Sequence, residues 1–156
     1  MNLVFLVNIN ITQGVICQDL LAINRVLISQ HWFTVEEYNE SLKTLGYYSY
    51  ENSDKPMPLA QGPKVQKLKG KAVSLWVHMR NWPFIIRSMV NNADCKVLGL
   101  GLLLHEIVER ITAPQFRDYE VEILEEKIYS YLDSRAEIRE EFPRFISKPK
   151  PKHHFM

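Results

Sequence analysis

His105, Glu106 and Glu109 form the run of this chain that comes closest to a reactive motif. The pattern His-Glu-x-x-Glu departs from the His-Glu-x-x-His zinc helix in its last member, and residues four apart share a helical face, so His105 and Glu109 have the spacing to hold a metal from one side. Two ligands fall short of the three protein ligands that zinc sites use, and the pair is expected to bond to each other or to face water. The adjacent pair His153-His154 lacks a third ligand in the same way. Basic side chains are more numerous. Lys64, Lys67, Lys69 and Lys71 punctuate one stretch, and Arg144, Lys148, Lys150 and Lys152 precede the histidine pair. Cations clustered like this can neutralise phosphates or serve as a nuclear-targeting patch, although on loops they are commonly only solvated. Machinery for nucleophilic catalysis is missing: there is no G-x-S-x-G elbow, no phosphate-binding Gly-rich loop and no dinucleotide turn. Cys95 opens a helix, where the macrodipole favours a thiolate, but no base accompanies it in the sequence.

The frame that must position these groups has ordinary proportions. A chain of 156 residues suits one domain with one core, and 46% hydrophobic with 24% charged residues excludes wholesale disorder. The formal charge of +1 carries no message about partners. Cys17 and Cys95 stand far apart without a C-x-x-C pattern, which argues against a disulfide scaffold and suits an intracellular setting, nuclear or cytoplasmic. Met1 to Thr12 is apolar but lacks the leading cation and the cleavage site of a secretory signal, so a short strand or hydrophobic arm is expected there. No stretch approaches the roughly 20 apolar residues of a membrane helix.

Periodicity predicts five helices. Ile16, Leu20, Ile23, Leu27 and Ile28 recur at helical spacing within 15–32. Thr34 and Glu37 make a capping box for a helix over 34–45, Phe33 and Tyr38 a hydrophobic staple beside it, and Gly46 the residue expected to close it in the left-handed conformation. Pro56, Pro58, Gly62 and Pro63 then call for an extended loop over 47–69, whose Tyr47, Tyr48 and Tyr50 are expected to pack on the domain rather than stack on a ligand. A helix over 71–90 must kink or restart at Pro83. The helix over 95–112 is apolar nearly all round and is the expected central element, with Gly99 and Gly101 permitting close approach of a neighbour. The last, 116–142, is expected to bury Phe116, Tyr119, Ile123, Ile128, Tyr131 and Leu132 and to turn Asp118, Glu122, Glu125, Glu126, Asp133 and Glu137 to water. The fold class is all-α, an irregular bundle of about five helices with a proline-rich loop and a basic C-terminal tail. It divides into an N-terminal segment 1–32 of apolar arm plus helix, a helical domain 33–147 and a tail 148–156.

The runs Phe33-Thr34-Val35-Glu36-Glu37-Tyr38-Asn39, Lys55-Pro56-Met57-Pro58-Leu59, Lys71-Ala72-Val73-Ser74-Leu75-Trp76, Leu102-Leu103-Leu104-His105-Glu106-Ile107-Val108, Ala113-Pro114 and Lys150-Pro151-Lys152-His153-His154-Phe155 occur in that order. In this the chain resembles uncharacterised open reading frames of transposon origin that are repeated in animal genomes, over about residues 33–156. The resemblance implies an internal piece of a mobile-element protein whose parent continues beyond the terminal Lys-Pro-Lys-His-His-Phe, and it brings no catalytic residues. The aromatic and basic character of that ending points the same way, to a fragment.

Three functions compete at this level. The first is a non-catalytic helical segment that contacts DNA or another protein of the same element, with Arg144, Lys148, Lys150, Lys152, Lys67, Lys69 and Lys71 as contact residues and no cofactor. The second, suggested by the resemblance, is an accessory part of a magnesium-dependent DDE-type transposase or nuclease, inactive alone. Such enzymes hold two magnesium ions on two aspartates and a glutamate, and Glu106 is the acid to nominate. Against it, Asp19, Asp54, Asp94, Asp118 and Asp133 all fall in helical or loop contexts rather than on paired strands. The third is a genomic fragment without selected function.

Overall fold

The computed structural model describes residues 11–62, 65, 67–115 and 117–149, and among these it is wholly helical. Five α-helices follow one another: α1 Cys17–Ser29, α2 Val35–Thr44, α3 Ala72–Ile86, α4 Lys96–Ile111 and α5 Asp118–Glu141. A π-helical turn, Ile11–Ile16, leads into α1, and a 3-10 turn, Ser49–Asp54, interrupts the loop after α2. The arm expected at the N-terminus therefore becomes helical by Ile11, and its first ten residues lie outside the described ones.

Helix α1 is the most enclosed element. Leu20, Ile23, Val26 and Leu27 are fully buried, and so are the polar Asp19 and Asn24 on the same helix. It shares one core with α3 and α4, whose Met79, Trp82, Ile85, Leu104 and Ile107 meet it. Helix α4 lies against α1, α3 and α5, as its apolar sequence foretells, yet Leu102 on it is exposed, so the sequence exaggerated its enclosure. Trp82 is the point where three helices meet. Its indole N–H donates to Asn24 Oδ1 at 2.9 Å, and the six-membered part of its ring closes against Gly101 of α4.

The start of α2 is built as the capping box requires. The Thr34 hydroxyl accepts from the Glu37 N–H at 3.1 Å, and the Glu37 carboxylate accepts from the Thr34 N–H at 2.8 Å. Phe33 and Tyr38 stack at 5.5 Å beside it. The other end departs from expectation: Leu45 ends α2 in extended backbone, and Gly46 is not left-handed. The left-handed closure appears at α1 instead. There His31 takes φ 64, its N–H reaches Ile28 O, and the Trp32 N–H reaches Leu27 O, the double bond of a Schellman ending without its usual glycine. Helix α3 runs through Pro83 without restarting, Ile85 and Ile86 being buried beyond it. On α5 the six acids are exposed as foreseen, but Tyr119 is exposed too. Leu124, Ile128 and Leu132 pack against the core only partly buried, Phe116 lies outside the described residues, and only Tyr131, Arg135 and Ile138 are fully buried.

A buried histidine makes the core pH-sensitive. His78 on α3 shares a 2.6 Å hydrogen bond with the hydroxyl of Tyr38 on α2. Burial drives its pKa down to about 4 and pushes that of Tyr38 well up. The unfolded chain binds a proton near pH 6.5 that the folded chain refuses until about pH 4, so stability is full above pH 6.5 and is lost as pH falls through that window. Urea melts are expected to show a loss of about 2 kcal/mol between pH 7.5 and 5, largely abolished in His78→Gln. An unchanged acid slope in that variant would assign the loss to other groups.

Candidate nucleic-acid interface

The residues of the His-Glu-x-x-Glu run do not converge on a common point. His105 uses Nε2 to donate to the Arg80 carbonyl at 3.2 Å, joining α4 to α3. Glu106 pairs with Lys127 at 2.9 Å and Arg110 at 3.8 Å, joining α4 to α5. Glu109 keeps one buried oxygen without a hydrogen-bond partner among the described residues. No group of three His, Cys, Asp or Glu side chains with metal-holding geometry occurs among the described residues.

The basic residues are arranged differently. Lys67 and Lys69 flank the buried Leu68, whose N–H donates to Cys17 O at 2.8 Å and pins the loop to the head of α1. Alternation around that anchor leaves both lysines exposed. Gly70, at φ 133, then turns the chain into α3, with Lys71 at its cap. At the other end of the sequence, Arg135 donates to the Ser147 carbonyl at 2.8 Å, which holds the segment carrying Arg144 and Lys148 near α1 as well. Arg144 lines a cleft of about 590 Å³ together with Arg25, which donates to Gly62 O at 3.1 Å. Lys67, Lys69, Lys71, Arg144 and Lys148 form no ion pair among the described residues. Lys64, Lys150, Lys152, His153 and His154 lie outside the described residues.

A third cluster was only half visible in the sequence. Tyr47 packs as foreseen, donating to Leu42 O at 2.8 Å, and burial, with the Glu51 charge adding, pushes its pKa up to about 12. Tyr48 and Tyr50 do not pack inward: they are 63% and 59% exposed, with rings parallel to within 4° and centroids 5.6 Å apart. The Arg80 guanidinium sits 5.9 Å from the Tyr48 ring, 5.8 Å from Tyr50 and 5.3 Å from Trp76, and donates to the Tyr50 hydroxyl at 2.9 Å. Beneath it, buried Glu51 lies 3.9 Å away and is held by the Tyr48 N–H at 3.0 Å. The tyrosines were legible as a run. Their cation is 30 residues away on α3, and no local pattern announces that pairing.

The sequences and folds of known proteins add nothing to this picture: the chain matches no family model, no curated protein and no solved structure.

Proposed function

We propose that the chain is a non-catalytic helical segment of a transposon-derived intracellular protein, and that it works by contact with nucleic acid or with another protein of the same element. One observation carries the nucleic-acid side of this reading. Five cations, Lys67, Lys69, Lys71, Arg144 and Lys148, are exposed without ion-pair partners among the described residues, on two segments both anchored near the same helix. Exposed cations that no carboxylate neutralises are free to displace counterions from phosphates. The test is a fluorescence-anisotropy titration with labelled DNA at several salt concentrations. Affinity is expected to fall steeply with salt, the slope to drop by roughly two to three in the Lys67, Lys69, Lys71 triple alanine variant, and Glu106→Ala to bind unchanged. Absence of binding, or binding indifferent to salt, would remove the nucleic-acid reading. Magnesium-dependent strand cleavage that is lost in Glu106→Ala would replace it with the nuclease reading.

A further inference from the structure

Helix α3 contains no acidic residue, and its exposed face interleaves rings with cations. Val73, Trp76, Arg80, Phe84 and, just past its end, Arg87 recur at steps of three and four residues and so share one side. The opposite side, from Leu75 to Ile86, is core. Phe84 is 59% exposed, and Arg87 is exposed with no ion-pair partner among the described residues. Tyr48 and Tyr50 extend this stripe sideways through Arg80. We propose that Trp76, Arg80, Phe84 and Arg87, with Tyr48 and Tyr50, form a stacking site for single-stranded nucleic acid. The inference deepens the nucleic-acid reading above and rests on it.

Three observations select this occupant. The Tyr48, Tyr50 and Phe84 rings are open, Trp76 is half-buried beside them, and the cluster is partly pre-ordered, since Tyr48 and Tyr50 are already parallel and Arg80 is fixed by the Tyr50 hydroxyl and Glu51. A base can therefore stack on these surfaces without first ordering them, and every base has a face to offer. The charge is complementary to a polyanion: Arg80 and Arg87 stand about 10 Å apart along the helix, on either side of Phe84, far enough to meet different phosphates. The single carboxylate within ion-pair range of these arginines, among the described residues, is that of Glu51, and it is buried. A duplex hides the base faces that the rings would use, so the site favours unpaired strands.

The experiment is anisotropy titration of the full chain with a short fluorescein-labelled oligothymidylate, and with the same length of duplex. Single strand is expected to bind more tightly than duplex. Phe84→Ala and Tyr50→Ala are each expected to weaken it roughly five- to a hundredfold. Arg87→Ala is expected to reduce the slope of log affinity against log salt by about 0.7. Tyr129→Ala, an exposed ring on α5 away from the stripe, serves as the unaffected control. Should Tyr50→Ala disturb the loop, Phe84→Ala and Arg87→Ala still decide the matter, since neither side chain is buried. Strand binding that ignores Phe84, Tyr50 and Arg87 but falls in the lysine triple variant would overturn the stripe and leave the wider reading standing. Duplex preference would also overturn the stripe. No binding to either form would overturn both.

Discussion

Asp19→Leu is expected to destabilise the fold by about 3–5 kcal/mol, the cost of stranding a guanidinium inside the protein. Asp19 on α1 and Arg135 on α5 are both buried and meet in a two-pronged pair, Nε to Oδ2 at 2.9 Å and Nη2 to Oδ1 at 3.1 Å. The Tyr131 hydroxyl donates to the same carboxylate, and the remaining Arg135 prong is taken by the Ser147 carbonyl. Burial alone would weaken the Arg135 charge, but the Asp19 hydrogen bonds and charge outweigh it and raise its pKa, while burial and the Asp19 charge hold Tyr131 protonated. Removing one partner therefore costs far more than removing both. Urea melts of Asp19→Leu, Arg135→Met and the double variant are the measurement. The double variant is expected to recover most of the loss. Additive losses would show that the two side chains do not act as a pair.

Gly101→Ala is expected to cost about 3 kcal/mol, while Gly99→Ala two residues earlier is expected to stabilise by up to about 1 kcal/mol. The contrast lies in what a methyl group would meet. At Gly101 it would lie 2.1 Å from the Trp82 ring, whereas at Gly99 nothing stands within 4 Å. Trp82 has little room to yield, being fully buried and tied to Asn24. Relief through Trp82→Phe in the Gly101→Ala background would confirm the clash as the cause. Equal melting behaviour of the two alanine variants would contradict it.

Both features show where sequence reasoning stops. The capping box of Thr34 and Glu37 was legible because every group it uses lies within four residues. The helices were legible because apolar spacing reports a face, and each was placed within a few residues of its observed ends. The close approach at Gly101 was foreseen in kind, but not its partner, since Trp82 reaches it through tertiary packing. Asp19 and Arg135 are 116 positions apart, and each looks like an ordinary surface residue of an amphipathic helix. Tyr119 misled for the converse reason: it keeps the apolar register of α5, but in the first turn of that helix it stays exposed, whereas Leu124 and Ile128 further along meet the core. Among the candidate site residues, the types and positions of the lysines were readable. Their anchoring to α1, and the assembly of Arg80 with Tyr48 and Tyr50, depend on contacts across at least 30 residues.

The bond between Asp19 and Arg135 also sets a timetable for the newborn chain. Of the five described helices, the one that ends up deepest is made before the others, and its carboxylate meets Arg135 only 116 residues later, roughly 6 to 23 s at a synthesis rate of about 5–20 residues per second. Throughout that interval Leu20, Ile23 and Leu27 have no finished core to enter. Nascent chains arrested before Arg135 would thus present an apolar helix whose core is still open, the kind of surface that chaperones hold and proteases cut. Closure of this core is tied to the arrival of α5.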